Sequence, residues 1–147
     1  MATIQLPSDF REFLKLLNSH DVRYLLIGGY AVNYHGYPRA TGDMDIWVDR
    51  DPDNAEKVTT VLRQFGFLQA SPELFTQPGN VVRMGVSPLR IEVLTTISGV
   101  QFGDCYPNKV TADLDGIQVT MISAADLKIN KRVAGRLKDL ADLEELE

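Results

Sequence analysis

Tyr24-Leu25-Leu26-Ile27-Gly28-Gly29, followed after thirteen intervening residues by Asp43-Met44-Asp45-Ile46-Trp47-Val48, is the stretch on which the fold and the chemistry turn. The first run is a short apolar strand that ends in two glycines. Gly28-Gly29 permits a tight turn and a close approach of the backbone to another group. The segment after it, Gly29 to Tyr34, reads as the opening of a helix, whose free N–H groups and positive dipole end suit a phosphate. The second run is a strand that opens on two aspartates one residue apart. Strand side chains alternate, so Asp43 and Asp45 share a face, roughly 6–7 Å apart. Two carboxylates on one face repel unless a cation lies between them. Magnesium prefers oxygen ligands and accompanies phosphates, and a carboxylate pair holding two such ions is suited to in-line phosphoryl or nucleotidyl displacement.

Working outward, Arg90-Ile91-Glu92-Val93-Leu94 is an apolar strand with one acidic residue inside it. Glu is a poor strand former and is seldom buried unpaired. If this strand lies beside Asp43–Val48, Glu92 faces the aspartates and serves either as a metal ligand or as the base for an incoming hydroxyl. Trp47 shares the aspartate face if the strand stays regular. Tyr30, Tyr34, Tyr37 and Trp47 could stack a base, although core packing is the simpler role for aromatics.

The remaining elements follow from periodicity and caps. Phe10, Phe13, Leu14 and Leu17 lie on one face of a helix from about Ser8, its expected N-cap, to Ser19. Asp51-Pro52-Asp53 starts a helix to Gln64, with Gly66 past its end. The cluster Asp49, Asp51, Asp53 is a helix start favoured by the dipole, since Pro52 interrupts any calcium loop and no Glu closes one. Pro72, Pro78, Gly79 and Pro88 mark turns. Strands are expected at Val81–Val86 and Leu89–Leu94, and a pair at Lys109–Ala112 and Ile117–Met121 around the turn Asp115-Gly116. Ser123 caps a helix to Val133, and a last helix runs from about Lys138 to Glu147. The fold class expected is α/β (α+β), a mixed sheet with helices mainly on one face. Residues 1–147 are read as one domain with a C-terminal helical segment at about 123–147.

Composition narrows the function. The 147 residues are 44% hydrophobic and 24% charged, ordinary for a globular domain. The single Cys105 excludes a disulfide framework and a thiolate zinc site within the chain. It has no spacing with His20 or His35 that suggests a nucleophilic pair. A cytoplasmic location and no membrane association are expected, since no apolar run approaches ~20 residues and no signal-peptide pattern opens the chain. The net charge of −5 argues against bulk attraction to nucleic acid, although Lys128, Lys131, Arg132, Arg136 and Lys138 crowd one C-terminal segment.

Gly28-Gly29, Asp43-Met44-Asp45-Ile46 and Ile91-Glu92-Val93 together resemble the signature of the DNA polymerase β-like nucleotidyltransferase superfamily. The fuller run from Ile27 to Val32, His35-Gly36 and Arg39-Ala40-Thr41-Gly42-Asp43 is similar to its small prokaryotic members, the antibiotic nucleotidyltransferases and the nucleotidyltransferase-like toxins of toxin–antitoxin pairs. So is Asp126–Lys131 with Gly135-Arg136-Leu137-Lys138-Asp139-Leu140-Ala141-Asp142. The resemblance implies the nucleotidyltransferase fold, phosphate binding at Gly28 and Gly29, and metal binding at Asp43, Asp45 and Glu92. It also implies that Lys131 reaches the phosphates from the C-terminal helix and that Arg39 supplies a second cation. The activity implied is magnesium-dependent transfer of a nucleoside monophosphate from a triphosphate to a hydroxyl on a tRNA, a small molecule such as an antibiotic, or a protein. An antitoxin partner goes with the toxin reading. The alternative from another class is an inactive binding module that kept the fold and acts with a partner protein.

Overall fold

A computed structural model describes residues 4–86 and 89–147; Pro88, expected in a turn, lies outside the described residues. The elements in chain order are α1 (Ser8–Ser19), β1 (Tyr24–Ile27), α2 (Gly28–His35), β2 (Met44–Val48), α3 (Pro52–Phe65), α4 (Glu73–Thr76), β3 (Val81–Met84), β4 (Ile91–Leu94), α5 (Phe102–Cys105), β5 (Val110–Leu114), β6 (Ile117–Met121), α6 (Ala124–Ala134) and α7 (Leu137–Leu146). The strands form one mixed sheet of order β3-β4-β2-β1-β6-β5.

The pairing explains why the signature residues meet. β1 and β2 run antiparallel, with Ile27 opposite Asp45. β2 and β4 run parallel, with Asp45 opposite Glu92 and Trp47 opposite Leu94. Every residue of β1 is buried, whereas β3 and β4 alternate buried and more exposed positions. The centre of the sheet is thus covered on both sides and its β3–β4 flank keeps one open face, the face that carries Glu92.

Local chemistry sets the boundaries. Asp51 caps α3, accepting from the N–H groups of Asp53 and Asn54, and Pro52 stands in its first turn. Ser123 Oγ accepts from Asp126 N at the start of α6. Asp115 and Gly116 both take positive φ, 54° and 82°, as the two-residue hairpin turn requires. Ser8 differs from expectation. It is the first helical residue of α1 rather than its cap: the helix ladder opens with Arg11 N donating to Pro7 O, and no side chain caps that end. β2 begins one residue later than expected, at Met44, so Asp43 sits on the entering loop.

The core is continuous across the sheet. Phe10, Phe13, Leu14 and Leu17 of α1 are buried as periodicity requires, together with Val58, Val61 and Leu62 of α3. Among the described residues no helix is long and apolar enough to cross a membrane.

Candidate active site

The centre of the site is the junction of β1, α2, β2 and β4. β1 passes directly into α2, whose N-terminus carries no side-chain cap, so its first N–H groups are unsatisfied by side chains. Gly28 has φ +69°, and a Cβ on it would lie 2.2 Å from Asp45 Oδ2. Glycine is required there on both counts. A Cβ on Gly29 would lie 2.2 Å from Thr41 Oγ1. The two glycines therefore let the backbone turn press against the Asp45 carboxylate on one side and the loop entering β2 on the other.

Asp45 and Glu92 are cross-strand partners, on strands ~4.8 Å apart. Burial raises the Asp45 pKa to about 6; the negative charge of Glu92, a hydrogen bond between the two carboxyls and the charge of Asp43 add to the rise, and Lys138 opposes it. Carboxylates brought this close are crowded anions that call for a compensating charge. Arg90 supplies part of it: its Nη2 lies 3.2 Å from Asp43 Oδ2 and its Nε 3.4 Å from Glu92 Oε1. Arg83, opposite Glu92 on β3, places its Nε 3.2 Å from the same Oε1.

The residues present fit a hard divalent cation. Asp43 Oδ1 is buried without a hydrogen-bond partner, Asp45 stands opposite Glu92 on the neighbouring strand, and all the donors are carboxylate oxygens, which suit magnesium. In the present side-chain arrangement, among the described residues, no three His, Cys, Asp or Glu side chains are gathered closely enough to hold an ion. Asp43 and Glu92 are turned toward arginines instead.

The two cations expected at the triphosphate are placed differently. Lys131 is 5% exposed. Its Nζ lies 3.0 Å from Asp139 Oδ1 and 3.1 Å from Asp142 Oδ2, both carboxylates being buried on α7. In this structure it is engaged in an internal ion pair, not directed at the glycine turn as the expected phosphate contact would have it. Arg39 does lie beside Gly29, its Nη1 3.4 Å from where a Cβ would stand. Its guanidinium, however, forms a two-point pair with Asp142, at 2.8 and 2.9 Å. The cations whose charge acts on the carboxylates are others. Lys138, exposed, acts on Asp45. Arg136, held by hydrogen bonds to Asp139, acts on both Asp45 and Glu92.

Sequence reasoning missed why α7 matters because its inner face is not apolar. Asp139, Asp142 and Leu143 are its buried residues, while Leu137 and Leu140 are exposed. The available signal was the facing cation: Lys131 lies in the last turn of α6, Gly135 turns the chain in a left-handed conformation, and two aspartates three residues apart then lie on one helical face.

Along the same strands a cleft of about 360 Å³ is lined by Trp47, Arg50, Thr76, Thr95, Thr96 and Phe102, among others. Trp47 stands two residues beyond Asp45 on the same face of β2 and is packed edge-on against Phe102. Cys105 is no nucleophile: burial, followed by Asp126 and Asp104, pushes its thiol up to about 12. His35 is engaged with the carbonyl of Ile122 at 2.8 Å.

No family model matches the chain, and no curated protein matches it. Solved structures do. A protein described as a candidate nucleotidyltransferase from Thermotoga maritima aligns with a TM-score of 0.61 at 15% identity, over 92% of this chain and 88% of that one. The lincosamide antibiotic adenylyltransferase LnuA, with lincomycin bound, aligns at 0.58 and 14% identity over 98% of both chains. ANT(2'')-Ia in complex with adenylyl-2''-tobramycin aligns at 0.56 and 11% identity, over 93% of this chain and 84% of that one. The chain therefore has the nucleotidyltransferase fold.

Proposed function

We propose that the protein is a magnesium-dependent nucleotidyltransferase that moves a nucleoside monophosphate from a nucleoside triphosphate to a hydroxyl on a small molecule, with release of pyrophosphate. The observation that carries this reading is the cross-strand pairing of Asp45 with Glu92 beside Gly28 and the loop aspartate Asp43. A divalent ion held by Asp43, Asp45 and Glu92 would supply charge neutralisation at the transferring phosphate. The chain's own groups do the positioning. The Gly28-Gly29 turn and the uncapped start of α2 offer N–H donors to phosphate oxygens. Lys138 and Arg136 add positive charge on the side of Asp45 from which α7 approaches. Glu92, opposite Asp45 on the neighbouring strand, is placed to accept a proton from the acceptor hydroxyl. Catalysis of this kind is mostly positioning and electrostatic stabilisation.

A small-molecule acceptor is favoured by the end-to-end alignment with LnuA, a protein of the same extent with an antibiotic bound. The inactive-module reading is disfavoured, because every carboxylate and both glycines of the site are in place. The test is transfer of label from each α-labelled triphosphate, with magnesium, to lysate separated into RNA, protein and small-molecule fractions. Magnesium-dependent label in the small-molecule fraction, lost in Asp43→Asn and Asp45→Asn, is expected. Transfer unaffected by both substitutions would reject the assignment.

A further inference from the structure

α7 carries two buried carboxylates, Asp139 and Asp142, and three cations converge on them. Lys131 bridges both, Arg136 binds Asp139 at 2.6 Å, and Arg39 binds Asp142 at two points. Burial works to raise the Asp139 pKa, yet the hydrogen bonds from Arg136 and Lys131 hold it below the usual carboxylate range. The fold thus spends five charged residues, three of them nearly inaccessible, on one junction. Burying charge is costly even when it is paired. A helix that only had to cover apolar core would use leucines at these positions.

What the junction holds is informative. Arg39 belongs to the loop that joins α2 to β2. Its backbone carbonyl accepts from Asn33 Nδ2 of α2 at 3.0 Å, its Nη1 lies against Gly29, and two residues later Thr41 Oγ1 lies against the same glycine. Four residues after Arg39 the loop delivers Asp43, whose buried Oδ1 is unpartnered. A bidentate guanidinium–carboxylate pair fixes orientation as well as distance. The position of Asp43 relative to the Gly28-Gly29 turn is therefore set, through Arg39, by a carboxylate more than a hundred residues away in sequence.

We propose that Asp142 and Arg39 form a clamp, braced by Lys131, that fixes the loop carrying Thr41 and Asp43 against the glycine turn, so that both are positioning residues of the site. This rests on the nucleotidyltransferase reading for its catalytic consequence, but not for its structural one. Lys131 braces the pair from the other helix: its Nζ lies 3.1 Å from Asp142 Oδ2, the oxygen that Arg39 Nη2 also contacts.

The test compares Asp142→Asn, Arg39→Gln, the double variant and Arg132→Gln in the full chain. Arg132→Gln removes the exposed Arg132–Glu147 pair, the other ion pair joining α6 to the end of α7, and controls for loss of a helix–helix charge contact. Backbone ¹⁵N relaxation without ligand reads the loop directly. Residues 39–43 are expected to fall to order parameters below ~0.6 in Asp142→Asn and Arg39→Gln, while β1 and β6 stay near ~0.85. In transfer assays kcat should fall about tenfold or more, with the triphosphate KM changed by less than about threefold. The double variant should be no worse than either single one, as residues acting through one contact require. A loop as ordered in Asp142→Asn as in the parent, or equal kcat losses in Asp142→Asn and Arg132→Gln, would overturn the clamp. If the loop loosens as expected but the parent protein transfers no nucleotide, the clamp stands and the nucleotidyltransferase reading fails.

Discussion

Replacing Asp45 by Asn should stabilise the metal-free protein, and by an amount that depends on pH. Folding raises the Asp45 pKa from 3.8 to about 6, through burial first and then the proximity of Glu92 and Asp43. A carboxyl group whose pKa is raised by folding holds its proton more tightly in the folded state. Folded stability therefore declines as pH rises from about 4 to about 6 and stays at the lower level above that. At ~1.36 kcal/mol per pKa unit the decline is about 3 kcal/mol. The substituted asparagine cannot ionise, and its amide can donate to the Glu92 carboxylate on the neighbouring strand, so the variant is spared this loss. The advantage of Asp45→Asn over the parent should thus be near zero at pH 4 and should approach about 3 kcal/mol at pH 7.5, or roughly 6–12 °C in Tm for a chain of this size. Urea denaturation of both proteins without divalent ions, at half-unit steps across that range, measures the difference directly. A difference that is flat with pH, or a variant less stable than the parent at pH 7.5, would refute the claim that the site crowds carboxylates its arginines compensate only in part.

Three further outcomes are expected. Lys131→Met should lower stability by about 1.5–3 kcal/mol in denaturant titrations, because it removes the cation shared by two buried carboxylates while Arg136 and Arg39 stay paired with them; an effect under about 0.5 kcal/mol would show that the pair is not desolvated. Lys138→Ala should leave stability within about 0.5 kcal/mol, since the side chain is exposed, yet weaken triphosphate use roughly tenfold or more, the worth of a contact to an ionised group at ~1.5–3 kcal/mol; unchanged kinetics would leave it a solvated charge. Gly28→Ala should cost about 1–3 kcal/mol from its positive φ alone and displace Asp45, so a crystal structure of the variant with the Asp45 carboxylate unmoved would contradict the packing described.

Much of this architecture was legible in the sequence because its signals are local. Alternation in Ile91-Glu92-Val93 located a carboxylate strand, the Asp51-Pro52 start located α3, and Asp115-Gly116 located the hairpin. The adjacency of β2 and β4, expected from the need to bring Glu92 to the aspartates, is the pairing found. The cations were the part that spacing could not assign. Lys131 and Lys138 lie seven residues apart on a basic segment, and nothing local distinguishes the one that folds inward onto carboxylates from the one left facing the site. That choice is made by the Gly135 turn and by aspartates on the inner face of α7, a tertiary arrangement that contradicts the apolar pattern of Leu137 and Leu140. The short helices α4 and α5 were missed for a simpler reason, since four residues carry too little periodicity to register.

Calorimetric titration of a non-hydrolysable α,β-methylene nucleoside triphosphate with magnesium, for each base in turn, tests the central claim most directly. The parent protein should bind at least one of them only when magnesium is present, and the double variant Asp43→Asn with Asp45→Asn should lose that binding while remaining folded. Binding that is indifferent to magnesium, or that survives the double substitution, would contradict the assignment of Asp43, Asp45 and Glu92 as a metal-dependent nucleotide site.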